Sequence, residues 1–105
     1  PTPDECVAQI TGVTSRTKIT FDPGQASITA AALPAIDQIA EILRLCADLP
    51  LRIEGHTDSQ GGEEGNLSLS QQRAEAVLDA LRARRVPVAG FEAVGLGETM
   101  PIADN

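Results

Sequence analysis

The sequence predicts an α/β fold of the two-layer α+β kind, with two long helices packed on one sheet. Three short runs alternate polar and apolar residues, at 17–21, 51–55 and 91–94. Two longer runs, 28–47 and 70–85, place apolar residues at helical spacing. Turn formers separate each run from the next. The order is therefore β-α-β-α-β.

The first residues, Pro3-Asp4-Glu5, open a short segment with Cys6, Val7 and Ile10 at helical spacing, and Gly12 is expected to end it. In 17–21, Ile19 and Phe21 share one face, as in a strand, and Asp22-Pro23-Gly24 stops it with turn chemistry. Ile28, Ala32, Ile36, Ile39, Ala40 and Leu43 form the stripe of the first long helix, with Thr29 as N-cap. Pro34 requires that this helix start late or bend, because proline deletes a backbone hydrogen bond. Leu51 and Ile53 alternate as a strand after Pro50. The second long helix is expected to start at Ser70, with Ser68 as the competing cap, and to show Ala74, Val77, Leu78 and Leu81 on one face. Arg82, Arg84 and Arg85 suit a helix end, Val86-Pro87-Val88 stops it, and Phe91 to Val94 form a short third strand.

The 105 residues suit a single domain, 1–105, with one modest core. Residues 1–16 read as an N-terminal extension and 17–105 as the core. The abrupt Pro1-Thr2-Pro3 reads as a domain cut from a longer protein. A net charge of −7 and two aromatic residues, both Phe, disfavour nucleic acid as partner. No run approaches the roughly 20 apolar residues of a membrane span. Cys6 and Cys46 admit two readings, a pair of small buried hydrophobes or one disulfide, and spacing does not choose between them.

The polar residues concentrate in 51–77. Asp58 follows a strand directly, and Arg73 is expected in the first turn of a helix, where a cation opposes the dipole. The intervening loop is glycine-rich, which permits close approach of backbone to a ligand. A held anion and a held cation flanking such a loop suit a zwitterion. Arg73 would fork a carboxylate, Asp58 would accept an ammonium, and the helix N-terminus would add N–H donors. A salt bridge or two solvated charges is the plainer reading of the same pair. His56 could form an acid–base pair with Asp58 or Glu54, but no second His, zinc set or nucleophile motif accompanies it.

Asn66-x-x-Leu69-Ser70-x-x-Arg73-Ala74-x-x-Val77 resembles the signature of the OmpA-like C-terminal domain family. That family includes the peptidoglycan-associated lipoprotein and the periplasmic domain of the stator protein MotB. Ile53-Glu54-Gly55-His56-Thr57-Asp58, Ile19-Thr20-Phe21-Asp22, Gly95-x-Gly97-Glu98 and Pro101-Ile102-Ala103-Asp104-Asn105 resemble its other segments in the right order. The resemblance implies non-covalent binding of peptidoglycan through the diaminopimelate of the stem peptide, in the periplasm or cell envelope. Asp58 would take the ammonium and Arg73 the carboxylate. Asp22 and Gly24 would line the pocket, Thr57 would flank the acid, and Asn66 and Leu69 would shape the wall. It implies one mixed sheet, whose final strand, beyond Asn105, is missing from this sequence. It implies no enzyme, no metal and no cofactor. The oxidising periplasm that it implies favours a Cys6–Cys46 disulfide.

Two other functions are weighed against this one. One is a stator-type interaction module that works as a homodimer, with wall binding secondary. The other is a hydrolase using His56 and Asp58.

Overall fold

The structure, a computed structural model, describes residues 2–46, 50–55, 57 and 63–96. Helix α1 (Pro3–Arg16) opens with a capping box. The Thr2 hydroxyl accepts from the Glu5 amide, and the Glu5 carboxylate accepts from the Thr2 amide. The hydrogen bond from the Thr2 backbone, then that to its side chain, holds the Glu5 carboxyl below its ordinary pKa. The cap's support is therefore complete above that ordinary value and is lost as pH falls through the lowered one. Gly12 does not end this helix. The chain continues to Arg16 because Val13 is buried on the next helix, while Thr14 and Ser15 bond back to carbonyls of the preceding turn. Cys6 and Val13 face inward, whereas Val7 faces out.

The expected first strand is shorter than its alternation suggests. Residues 18–20 have no regular structure, and Phe21 makes one antiparallel bridge to Ile28. Residues 20–22 and 27–29 pair with each other instead, through Asp22 N–H to Ser27 and Thr29 N–H to Thr20. The turn between them forces this. Gln25 N–H donates to the Asp22 carbonyl at 3.0 Å. Gly24 has φ 69°, so Pro23 and Gly24 occupy the places that a type II turn reserves for them.

Pro34 is accommodated by a late start. A 3-10 turn (Ala30–Ala32) precedes α2 (Leu33–Arg44), with Pro34 in the first turn, where its missing N–H costs nothing. Ala35, Ile36, Ile39, Ala40 and Leu43 are buried along one face of α2, and with Val13, Leu81 and Val86 they make the core. Cys6 and Cys46 form a disulfide across 40 residues of sequence, tying the start of α1 to the end of α2.

Strand β1 (Leu51–Gly55) pairs in parallel with β2 (Phe91–Gly95), from Leu51 opposite Phe91 to Gly55 opposite Gly95. Among the described residues these are the two named strands, and residues 18–21 do not join them. The crossover is α3 (Glu63–Ala83). It starts seven residues before the expected cap at Ser70. Neither Ser68 nor Ser70 is a cap. Ser70 is fully buried and donates to the Leu67 carbonyl inside the helix. A segment with Gly65, Asn66, Ser68 and Ser70 has weak intrinsic helicity. Packing decides the matter, for Asn66, Ser70 and Ala74 are all buried.

The contact that permits this is the glycine pair. A β-carbon on Gly55 would overlap the Ser70 carbonyl, and one on Gly95 would overlap the Gln71 backbone and the Ser70 hydroxyl. The two register partners form a flat seat on which the α3 backbone rests directly. At its far end α3 closes with Val86 N–H on Leu81 and Arg85 N–H on Arg82, a Schellman arrangement with Arg85 at φ 64°. Arg84 pairs with Asp37 at 2.6 Å and Arg44 donates to the Arg84 carbonyl, so the arginine cluster does more than end a helix. It fastens α3 to α2.

Two outcomes follow. Replacing Cys6 and Cys46 by Ala removes a cross-link over 40 residues, and is expected to cost about 4 kcal/mol. An unchanged urea midpoint would show that the disulfide adds no stability. Gly55→Ala is expected to destabilise by about 3 kcal/mol or more, through backbone overlap with Ser70, whereas Gly65→Ala, with open space around it, should be close to neutral or stabilising. Thermal unfolding of the pair checks this difference.

Candidate functional site

On α3, positions 66, 69, 70 and 73 recur at helical spacing and share one side of the helix. Asn66 and Ser70 are buried, and Leu69 and Arg73 are half-buried. The Arg73 guanidinium crosses to the turn after Phe21. Its Nε–H donates to the Gln25 carbonyl at 2.9 Å, and its carbon lies 5.0 Å from the centre of the Phe21 ring. The structure therefore gathers Arg73, Asp22 and Gly24 around one turn. Asp22 and Gly24 are exposed there. Asp58 and His56 lie outside the described residues.

Arg73 does not owe its position to a helix start, as the sequence suggested. It is the eleventh residue of α3, about 15 Å along the axis from the first. The N–H groups that lack partners within a helix belong to its first turn and do not reach it. The reason for a cation here is tertiary. The Phe21 ring offers its face and Gln25 offers a carbonyl, so the side chain is held from two directions. Among the described residues, Nε is the only Arg73 nitrogen with a hydrogen-bond partner. The two terminal nitrogens remain able to donate as a fork.

Thr57 stands two residues beyond the Gly55 seat and is buried. Among the described residues its hydroxyl has no hydrogen-bond partner. A buried hydroxyl left so costs roughly 1–3 kcal/mol, and a ligand or water acceptor would recover it. Next to Arg73 opens a groove of about 660 Å³. Residues 18–21 line one side, β1 lines another, and Ile39, Val77 and Leu81 contribute apolar floor.

Gln71 is a further structural residue that the sequence did not single out. Its amide nitrogen donates to the Ala93 carbonyl at 3.0 Å and its amide oxygen accepts from Gly95 N–H at 2.7 Å. A side-chain amide thus pairs with β2 as a neighbouring strand would. The signal was its place beside Ser70, but Gln71 and Gly95 are 24 residues apart and only the fold brings them together.

A parallel strand pair crossed by one long helix, with a second helical layer alongside and a polar rim around Arg73, is the mixed helix-and-sheet class of small domain. The peptidoglycan-associated lipoprotein from Burkholderia pseudomallei shares this fold. It has a TM-score of 0.75 and 37% identity, over 83% of this chain and 74% of that one. A putative MotB-like protein from Desulfovibrio vulgaris shares the fold at TM-score 0.72 and 17% identity, over 95% of this chain and 78% of that one. The chain belongs to the OmpA family, which it matches over residues 20–105. It is 40% identical over 87 residues to the peptidoglycan-binding protein ArfA of Mycobacterium tuberculosis, covering 83% of this chain and 27% of that protein. It is 36% identical to the peptidoglycan-associated lipoprotein of Rhizobium meliloti, over 82% of this chain and 49% of that protein. The chain thus spans between about a quarter and a half of these two relatives.

Gln71→Leu keeps the bulk of the side chain but strips two backbone groups of β2 of their partners. It is expected to cost about 2–3 kcal/mol, with faster amide exchange at Gly95. Wild-type exchange at Gly95 would mean that the Gln71 amide is not its acceptor.

Proposed function

We propose that this domain binds peptidoglycan without covalent chemistry, through the diaminopimelate end of the stem peptide, and so anchors a cell-envelope protein to the wall from the periplasmic side. The observation that carries the reading is Arg73. Its guanidinium is held on Phe21 and Gln25, and its terminal nitrogens, beside an exposed turn, have no hydrogen-bond partner among the described residues. Relatives named for peptidoglycan binding or association support it. In this reading Arg73 forks the ligand carboxylate and Asp58 accepts its ammonium. Asp22 and Gly24 border the ligand, Thr57 gives or takes a hydrogen bond, and Asn66 and Leu69 shape the wall. No bond is made or broken, so no catalytic residue is assigned.

The energetics suit an anchor. Exposed ion pairs contribute only ~1 kcal/mol each, and ligand ordering offsets part of it. One site is therefore weak, and a protein held at many points along the wall gains through avidity.

Titration with a stem tripeptide ending in meso-diaminopimelate is expected to move amide resonances at residues 22–26 and 66–73. Asp58→Ala and Arg73→Ala are each expected to weaken binding to purified sacculi tenfold or more with little change in unfolding midpoint. Either variant sedimenting with sacculi as wild type does would remove that residue from the site. Release of soluble muropeptides, lost on His56→Ala, would replace anchoring by hydrolysis.

A further inference from the structure

We infer that Phe21, with the Gln25 carbonyl, orients the Arg73 guanidinium so that its terminal edge meets the ligand, and that this makes Phe21 the positioning residue for selecting a carboxylate over an amide. This rests on the binding reading above and goes a step further.

A guanidinium can meet a carboxylate along two edges, one using Nε and a terminal nitrogen, the other using both terminal nitrogens. The Nε edge of Arg73 is occupied by the Gln25 carbonyl at 2.9 Å. One face of the group lies over the Phe21 ring, 5.0 Å from its centre. Rotation about the last side-chain bonds would break one contact or both. What remains is the end-on fork, with two parallel N–H groups. A carboxylate offers two acceptors to such a fork. A primary amide offers one acceptor and turns an N–H toward the other donor. An arginine free to rotate could evade that mismatch; one held as here cannot.

The turn contributes through its backbone. Gly24 has φ 69° and, among the described residues, nothing lies within 4 Å of where its β-carbon would be. Its role is to set the turn that aims the Gln25 carbonyl, since the left-handed conformation is costly for other residues. Phe21 is one of two phenylalanines in the chain, which has no Trp or Tyr, and among the described residues it is the ring that Arg73 lies over.

The test compares two ligands, the stem tripeptide ending in meso-diaminopimelate and the same tripeptide amidated at its terminal side-chain carboxylate. Both are titrated into wild type, Phe21→Leu, Phe21→Tyr and Gly24→Ala, with the Arg73 Nε–H resonance followed alongside. Wild type is expected to prefer the acid about tenfold. Phe21→Leu should lose most of that preference and the ring-current shift at Arg73, while Phe21→Tyr, which restores a ring face, keeps both. Gly24→Ala should reduce the preference with the Phe21 ring still present, and it serves if Phe21→Leu does not fold. A Phe21→Leu protein that still discriminates as wild type does overturns the positioning role and leaves the binding function standing. A wild type that binds neither ligand overturns the binding function, and this inference with it.

Discussion

The seat made by Gly55 and Gly95 is the constraint on which the other placements depend. The two residues are partners in a parallel register, and α3 lies across them closely enough that neither tolerates a β-carbon. That contact explains why α3 is helical well before the serines that look like its caps. The buried faces of Asn66, Ser70 and Ala74 stabilise turns whose intrinsic preference is weak. It also sets the rotation of α3. With Ser70 and Ala74 against the strand ends, Arg73 is directed to the rim and Val77 and Leu81 toward the core. Gln71, on the neighbouring side, reaches the free groups of β2.

The site inherits its precision from that rotation. A loop arginine would lose side-chain freedom on binding, which weighs heavily when each exposed pair contributes so little. Arg73 has already lost it in folding, through a ring and a carbonyl supplied by residues 21–25. Preorganisation of this sort raises selectivity without deepening the pocket. It suits the proposed anchoring, in which each site is weak and takes one chemical group. The buried Thr57 hydroxyl has no hydrogen-bond partner among the described residues, so the proposed ligand has a second polar group to satisfy.

The helical layer has a different role. α1 lies wholly before the part of the chain that matches the family, yet it contributes Val13 to the core and is tied to the end of α2 by Cys6 and Cys46. A core built almost wholly from aliphatic side chains and alanines has little area to spare in a chain of this size. A covalent tie at one end of the α1–α2 pair, and the Arg84–Asp37 and Arg44 contacts between α2 and α3, fasten the layer to its neighbour.

Much of this was legible in the sequence because it is local or periodic. The class, the helix stripes apart from Ile28, which bridges to Phe21 instead, both sheet strands, the turn at Pro23-Gly24 and the family signature are patterns within short windows. Pro34 announced its own ambiguity, and the structure resolved it as a late start. The reach of α1 past Gly12, the early start of α3 and the shortness of the first strand were not legible, because packing overrode local preference in each. The same holds for the site. The sequence identified Arg73 but supplied the wrong reason, a helix terminus some turns away. The true partners, Phe21 and the Gln25 carbonyl, meet it only in three dimensions, Gln25 from 48 residues away. Sequence by itself determined which chemical groups are present and which short elements carry them. Tertiary structure decided which groups meet, because the contact of two distant residues depends on a helix rotation that no local pattern encodes, set here by two glycines.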